Sequence, residues 1–339
     1  MDELHFSNRI GMYVGRLGTE RHQRPIGWRR RHLPQPIYAR WFQEYAKLHP
    51  GVDFRYLPLG SGQGVQKVTS GEVDYGGTDA PLNDKQLAEA NIKVLHFPSV
   101  ISAAVPIYNV PGIDAPLKFT PQALAGIYLG SITKWNDPAI SRVNSQTQLP
   151  ADRIIVIHTA NGRGTTYIWS DYLSKVSPEW KVRIGKGTTV KWPVGTPAEG
   201  NGNMAKMVNE TPNAIGYVEL PFALANHLPY GSVQNSSGNF VAASLESVTT
   251  AAAAAKNIHE DFRVSLTNPS DEKAYPIASF TWILVPKTID NIDKRIAIVQ
   301  FLRWMLTDGQ NYPKLLNYAP LPEEIVTREL NAVESISSP

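Results

Sequence analysis

Three short segments of the sequence combine glycines with side chains that can hold an anion. They are residues 60–64 (GSGQG), 76–82 (GGTDAPL) and 159–166 (TANGRGTT). The first and third lead into predicted helices, whose first N–H groups have no intrahelical partner and carry partial positive charge. The hydroxyls of Ser61 and Thr165 can add donors to such an anion site. Taken singly, each loop is also explained as an ordinary strand–helix turn, and neither has the Gly-Lys-Ser/Thr ending of a nucleotide P-loop.

The middle segment places a carboxylate beside the first glycine loop. Residues 72–82 read as a short strand running into a turn of small residues, and Asp79 stands where the strand ends. A carboxylate only accepts hydrogen bonds, so beside an anion it favours one that carries a proton, such as hydrogen phosphate, and repels sulfate. The alternative is a local role, because Asp at a turn commonly caps a helix and a helix is expected from Asn83.

The composition excludes several kinds of chemistry. The chain has 339 residues, 42% hydrophobic and 19% charged, which suits about two globular domains. It has no cysteine, which excludes a disulfide scaffold, a thiolate metal site and a cysteine nucleophile. The eight histidines are scattered without metalloprotease spacing, so neither a metal nor a cofactor is expected.

The positive charge is concentrated at the N-terminus. The formal net charge is +3, but residues 1–35 hold seven arginines and three acidic residues, a net +4, which leaves −1 for the remainder. A nearly neutral body gives no reason to expect a nucleic-acid partner. The tail shows no apolar signal segment and is interpreted either as a basic arm or as disordered or mistranslated sequence. No stretch reaches the ~20 apolar residues of a membrane span.

Hydrophobic periodicity predicts the elements around these segments. Strands are expected from apolar or alternating runs at residues 54–57, 154–157 and 277–285. Helices are expected from the 3.6-residue period at residues 37–45, 65–70, 167–173 and 296–306. Both glycine loops therefore lie at predicted strand–helix junctions.

A set of ordered blocks along the chain carries a family resemblance. They are GSGQGV (60–65), VDYG (73–76), TDAPL (78–82), IYLG (127–130), KWND (134–137), GTT (164–166), DYL (171–173), SPEWK (177–181), KWPVG (191–195), GN (200–201) and AIGYVE (214–219). With them the chain resembles the phosphate-binding subunit of the bacterial ABC phosphate importer, in the periplasmic binding protein superfamily. The resemblance runs from about Leu33 to about Pro322.

The resemblance implies an α/β fold of two lobes joined by two hinge strands, with one dehydrated phosphate in the cleft between them. Residues 36–100 and 280–325 would form lobe 1, residues 101–279 lobe 2, and residues 1–35 an atypical tail. The family implies a monomer without enzymatic activity or cofactor, placed in the periplasm or at the cell surface. Its partner would be the membrane permease, and closure about the hinge would be its motion.

The same resemblance assigns roles to individual residues. Ser61 matches the family serine that donates to phosphate, and Asp79 the aspartate that accepts the phosphate proton. Gly164 and Thr165 match the backbone and hydroxyl donors of the second loop. Leu33 falls where the family offers a backbone donor.

The second loop departs from the family pattern Arg-Ala/Ser-Asp-Gly-Ser-Gly-Thr. Thr159 stands at the arginine position, Asn161 at its aspartate partner and Arg163 at the serine. Losing both members of an ion pair together avoids leaving one buried charge unpaired, which costs about 3–5 kcal/mol. Two interpretations follow: Arg163 supplies the positive charge to phosphate or to the rim between the lobes, or it points to solvent.

The first phosphate-binding segment of the family, Gly-Ala-Gly-Ala-Thr-Phe-Pro, is also replaced. Residues 28–34 read WRRRHLP, and a reading frame one nucleotide later can encode the family segment. We therefore hypothesise that the residues before about Pro34 are translated in a shifted frame, which the nucleotide sequence would test.

Three alternatives remain beside a phosphate receptor. A receptor for arsenate or a phosphonate would share the preference for a protonated anion. An enzyme on the same architecture is disfavoured, because porphobilinogen-polymerising enzymes need a cysteine and phosphatases need a nucleophile with clustered metal ligands. A weakened receptor is the third, because the altered N-terminus loses a threonine donor worth about 1.5–3 kcal/mol.

Overall fold

Strands and helices alternate along most of the chain. The structure, a computed structural model, describes residues 14–15, 36–56, 59–113, 115–160, 162–255 and 258–338. Within these ranges the strands are β1 (Val14–Gly15), β2 (Tyr75–Thr78), β3 (Val94–Asn109), β4 (Lys118–Phe119), β5 (Ile155–Thr159), β6 (Thr196–Ala198), β7 (Ala214–Glu219), β8 (Ser232–Gln234), β9 (Phe240–Val241) and β10 (Ala278–Pro286).

The helices flank these strands. The described helices are α1 (Pro36–Leu48), α2 (Ser61–Thr69), α3 (Asp84–Glu89), α4 (Pro121–Leu129), α5 (Pro138–Ser141), α6 (Gly164–Val176), α7 (Pro178–Arg183), α8 (Gly200–Glu210), α9 (Leu220–Ala225), α10 (Leu245–Ala253), α11 (Ile292–Leu306) and α12 (Glu323–Val333). Six of them (α3, α4, α5, α7, α10 and α11) begin directly after a residue whose side chain caps the helix. Short 3₁₀ helices span Arg142–Asn144, Asp308–Asn311 and Pro313–Leu316. No helix in the described part of the chain is long and apolar enough to span a membrane.

One long strand joins the two halves of the larger sheet. The sheet has the strand order β1-β2-β10-β3-β7-β5-β6, and β4, β8 and β9 form a smaller one. The first part of β3 pairs antiparallel with β10, and its last six residues pair antiparallel with β7. The predicted lobe boundaries, at 100/101 and 279/280, fall inside these two paired strands. The prediction of an α/β fold is confirmed, and the assignment of residues to lobes stays a prediction.

Helix α1 packs the aromatic face that its periodicity predicts. Ile37, Trp41, Phe42 and Tyr45 are all buried. The indole Nε1 of Trp41 donates to the carbonyl oxygen of Gly309 at 2.7 Å, which ties the helix to the C-terminal part of the chain. The ring centroids of Phe42 and Tyr45 lie 5.2 and 5.3 Å from that of Phe301, so α1 packs against α11.

The strand expected at residues 54–57 is wrong for residues 54–56, which lie outside any strand. Phe54 stacks on Phe42 with ring centroids 5.2 Å apart and contacts Phe301 at 4.6 Å. At the edge of the sheet beside β2, the pairing positions of Tyr75 and Gly76 are taken by β1. The aromatic residues of this segment therefore add to a side-chain cluster instead of a strand ladder.

The other predicted elements are confirmed with shifted ends. The strands at 154–157 and 277–285 are β5 and β10, and the four predicted helices are α1, α2, α6 and α11. The tail predicted at residues 1–35 lies outside the described residues apart from the two residues of β1, and so does Leu33.

Helix α12 buries one carboxyl group. Glu329 is fully buried, and neither of its carboxylate oxygens has a hydrogen-bond partner among the described residues. Burial raises the pKa of Glu329 well above its ordinary value, although the neighbouring Arg328 opposes the shift. The group is therefore held in its protonated form over a wider pH range than a solvated glutamate.

We expect Glu329→Gln to stabilise the fold at neutral pH. The raised folded pKa gives stability that is full below the ordinary glutamate pKa and is lost as the pH rises towards the folded value. Glutamine mimics the protonated group and lacks this dependence, so the gain should disappear in acid. Denaturant unfolding at several pH values measures it, with the exposed Glu324→Gln as the matched control. A variant less stable than the unmodified protein at neutral pH would contradict the expectation.

Candidate anion-binding site

Asp79 lies directly after β2 with its carboxylate facing strand β10. It is buried, and the hydroxyl of Thr281 donates to its Oδ1 at 2.7 Å. Its own N–H donates to Oγ of Ser61 at 3.2 Å, and the hydroxyl of Ser279 donates to its carbonyl oxygen at 3.4 Å. The carboxylate is thus fixed between the glycine loop of α2 and strand β10.

A bulge in the sheet lies beside this carboxylate. Thr281 pairs with Val100 and the next residue of β10 pairs with Pro98, so Ser99 is the extra residue. The hydroxyl of Ser99 donates to the carbonyl oxygen of Thr281 at 2.8 Å, which holds the bulge in place. Bulges redirect side chains near functional sites, and this one adjoins the residue whose hydroxyl binds Asp79.

The turn after Asp79 is held by its own side chains. Leu82 donates its N–H to Nε2 of His96 at 3.2 Å. Burial lowers the pKa of His96 to about 4, so its ring is neutral and can accept this bond. Helix α3 is capped by Asn83 in a capping box with Gln86. The helix-capping alternative for Asp79 is therefore wrong.

The start of α2 touches the second glycine loop. Gly60 has φ of 95°, a left-handed value that favours glycine. A Cβ on Gly60 would lie 2.9 Å from the carbonyl oxygen of Gly162. The N–H of Gly62 donates to the same oxygen at 3.1 Å. These contacts join the two loops backbone to backbone.

The N-terminus of α6 lies beside Asp79 and Ser61. Gly164, Thr165 and Thr166 form its first turn and are buried. A Cβ on Gly164 would lie 2.2 Å from Oδ2 of Asp79 and 2.5 Å from Oγ of Ser61. The structure therefore brings together Ser61, Asp79 and Gly164, although Ser61 and Gly164 are 103 residues apart in the chain, and Thr165 is the next residue.

Asn201 binds Thr165 and Glu219 binds Asn201, and neither was among the predicted site residues. The hydroxyl of Thr165 lies 3.1 Å from Oδ1 of Asn201, in the first turn of α8. Nδ2 of Asn201 donates to Oε1 of Glu219 at 2.8 Å, and Glu219 is buried at the end of β7. The signal was present in the sequence, because both residues belong to blocks that carry the family resemblance.

Arg163 lies at the contact between the two loops. Its side chain is 10% exposed, so it does not point to solvent, and its Nη2 donates to Oε2 of Glu199 at 2.6 Å. Nη1 lies 3.4 Å from the position of a Cβ on Gly60. The guanidinium of Arg163 thus lies against Gly60 in the first loop, and the carboxylate of Glu199 balances its charge.

Thr159, at the family's arginine position, is satisfied by neutral partners. Its hydroxyl is hydrogen-bonded to the hydroxyls of Thr166 and Tyr217, the latter at 2.9 Å. Burial raises the pKa of Tyr217 to about 12, so the phenol stays neutral. The Thr159 hydroxyl therefore needs no charged partner. Asn161, at the family's aspartate position, lies outside the described residues.

Comparisons with known proteins show the family of the chain. The PBP superfamily domain matches residues 33–309. The phosphate-binding protein PstS of Pasteurella multocida is 40% identical over 298 residues, 87% of this chain and 86% of that protein. The chain belongs to the PstS family. The Methanocaldococcus jannaschii member is 36% identical over 328 residues, 90% of this chain and 84% of that one.

Solved structures similar to this PstS-family chain show the fold. An ancestral soluble variant of the human phosphate binding protein superposes with a TM-score of 0.67 at 17% identity, covering 86% of this chain and 90% of that one. A phosphate ABC transporter substrate-binding protein with bound phosphate, from Clostridium perfringens, gives 0.60 at 15% identity, covering 85% and 96%. The predicted family and the two-lobed fold class are confirmed. The roles of individual site residues stay predictions.

No group of three or more metal-ligating side chains is assembled within the described ranges. The polar groups that converge here are hydroxyls, helix N–H groups, one arginine and three carboxylates.

We expect Gly164→Ala to weaken phosphate binding by about tenfold or more, or ~1.4 kcal/mol. The added methyl group would meet Asp79 and Ser61 at 2.2 and 2.5 Å, which forces the loops apart. Calorimetric titration measures the dissociation constant, and circular dichroism checks the fold. Gly51→Ala is the control, because a Cβ there meets nothing within 4 Å. Equal affinity in both variants would show that the close approach is not needed.

Proposed function

We propose that the protein binds inorganic phosphate between its two lobes and delivers it to an ABC permease in the membrane. The observation that carries this is the close approach of Asp79, Ser61 and the first turn of α6. Helix N–H groups and a hydroxyl suit a tetrahedral oxyanion, and a carboxylate suits one that keeps a proton. The relatives named as phosphate-binding proteins support the same ligand.

We assign the two lobes by taking β3 and β10 as the strands that connect them. Residues 36–100 with 280–325 form one lobe, residues 101–279 form the other, and β3 and β10 are the hinge. The two glycine loops then face each other across the cleft, and Arg163 packs across it against Gly60. Arg163 acts at the lobe–lobe rim, because Glu199 already neutralises its charge.

The protein acts as a monomeric receptor without enzymatic activity. The described groups that meet in the cleft suit an anion, and no activated nucleophile is found among them. Its place is the periplasm or the cell surface, where a permease partner receives the anion.

The decisive experiment compares phosphate, sulfate and arsenate by calorimetry. Phosphate should bind at micromolar concentration or below, and sulfate should not compete. Asp79→Asn should weaken phosphate by about 1.5–3 kcal/mol and narrow the preference over sulfate, because asparagine no longer repels an unprotonated oxygen. If the unmodified protein bound sulfate as tightly as it binds phosphate, the proposal would be refuted. If it bound arsenate more tightly than phosphate, arsenate would be the ligand instead.

Arg163→Ala should raise the dissociation constant about tenfold, mainly through faster release. The side chain loses its contact with Gly60, so the closed form is less stable. Stopped-flow release of phosphate measures the rate. Arg183→Ala is the matched control, since Arg183 is an exposed arginine paired with Glu179 on α7. An unchanged constant would leave Arg163 without a role in binding.

A further inference from the structure

We propose that Asp171 and the loop of residues 185–189 (GKGTT) position the peptide group between Gly162 and Arg163, so that it bonds the first glycine loop and slows release of the bound anion. This loop, named the anchor loop, lies between α7 and β6. The proposal rests on the proposed binding of phosphate. It assigns Asp171 and Thr189 as positioning residues, which act on the anion through the second glycine loop.

Asp171 is a buried carboxylate on α6, about two turns after the first residue of that helix. Its side chain is 1% exposed, and it accepts hydrogen bonds from Nζ of Lys186 and from the hydroxyl of Thr267, both at 2.6 Å. The hydroxyl of Ser265 donates to it as well, and Nζ of Lys175 lies 3.6 Å away. Burial alone would raise the pKa of Asp171, but these partners outweigh it and lower the pKa below its ordinary value. The carboxylate is therefore ionised at neutral pH and holds Lys186 of the anchor loop by a charge-assisted bond.

The anchor loop is fixed at two more residues. The N–H of Gly187 donates to Oγ of Ser170, on the same helix as the buried carboxylate, at 3.1 Å. The indole Nε1 of Trp180 on α7 donates to the carbonyl oxygen of Gly185 at 2.9 Å. Residues 185–187 are thus held by α6 and α7 at three successive positions, which fixes where the next two residues of the loop begin.

Those next two residues bind the second glycine loop. The N–H of Arg163 donates to the carbonyl oxygen of Thr188 at 3.0 Å. The N–H of Gly162 donates to Oγ1 of Thr189, also at 3.0 Å. Two successive N–H groups of the second loop are therefore directed at the anchor loop.

The peptide group between Gly162 and Arg163 transmits this hold to the first glycine loop. The bond is trans, so its N–H and its carbonyl oxygen point in opposite directions. Because the N–H of Arg163 is bound to the anchor loop, the carbonyl oxygen of Gly162 is aimed the other way, where it accepts the N–H of Gly62 at 3.1 Å. A Cβ on Gly62 would also lie 3.6 Å from Oγ1 of Thr188, so the anchor loop itself borders the first turn of α2.

The bond between Gly162 and Gly62 joins the two proposed lobes, so it forms when the cleft closes and breaks when the cleft opens. A carbonyl oxygen that is already aimed at its partner loses less freedom on closing. The anchor loop therefore stabilises the closed form and slows release. The encounter with the anion takes place in the open form, so the association rate does not depend on this bond.

Thr189 gives the sharpest test, because it is exposed and its substitution leaves the core intact. Thr189→Val keeps the shape of the side chain and removes the acceptor for the Gly162 N–H. It should raise the dissociation constant for inorganic phosphate about three- to tenfold, the effect of one hydrogen bond, through faster release at an unchanged association rate. Thr189→Ser keeps the acceptor and should restore slow release. Calorimetry measures the constant and stopped-flow mixing measures both rates.

The matched control is Thr327→Val. Thr327 is an exposed threonine on α12 whose hydroxyl donates to a carbonyl oxygen of its own helix. This variant should release phosphate at the rate of the unmodified protein.

A second set of variants tests whether Asp171 acts through the anchor loop. Asp171→Asn and Lys186→Met should each speed release, and Lys186→Met combined with Thr189→Val should release phosphate no faster than the faster single variant. The side chain of Lys186 is 50% exposed, so its variant decides the question even if Asp171→Asn does not fold. Lys206→Met, at an exposed lysine of α8, should leave release unchanged.

Three results would overturn the proposal and leave phosphate binding intact. They are release from Thr189→Val at the unmodified rate, additive effects of Lys186→Met and Thr189→Val, and weaker binding that comes from slower association alone. If the unmodified protein does not bind phosphate, the proposed function fails, and this inference fails with it.

Discussion

A buried carboxylate beside two helix N-termini is the constraint on which this structure depends. Asp79 is fixed by Thr281 of β10 and reaches Gly164 of α6. A desolvated negative charge next to an anion is tolerated only if a proton lies between them. In the proposed function the helix N–H groups attract the anion and the Asp79 carboxylate selects a protonated one. Affinity and selectivity would then come from different groups at the same site.

The hinge strands make this arrangement possible. β3 passes from one half of the sheet to the other, and β10 pairs with it along the first half. Thr281, which holds Asp79, lies on β10 beside the bulge at Ser99, and Glu219 pairs with β3. The hydroxyl that holds Asp79 and the carboxyl group of Glu219 are thus anchored to the two strands that are proposed as the hinge.

Local patterns predicted the elements and the two glycine loops, because periodicity and helix-capping chemistry act within a few residues. The strand expected at residues 54–57 failed for residues 54–56, since strand pairing depends on partners elsewhere in the chain. The ion pair of Arg163 with Glu199 and the Asn201–Glu219 bond could not be predicted from local patterns, because each joins residues that only the fold brings together. The family blocks did mark Asn201 and Glu219 as residues of interest, but not the bond between them. The family resemblance assigned roles to Ser61, Asp79, Gly164 and Thr165, and the structure places Asp79 and Ser61 against the first turn of α6, which begins with Gly164 and Thr165.

A crystal structure of the protein with phosphate tests the central claim most directly. The account predicts one phosphate oxygen within ~2.5–2.7 Å of Oδ2 of Asp79, the short distance of a proton shared with a carboxylate, with the N–H groups of Gly164 and Thr165 on other oxygens. A phosphate bound away from Asp79, or one that leaves its carboxylate more than hydrogen-bond distance from every oxygen, would contradict it.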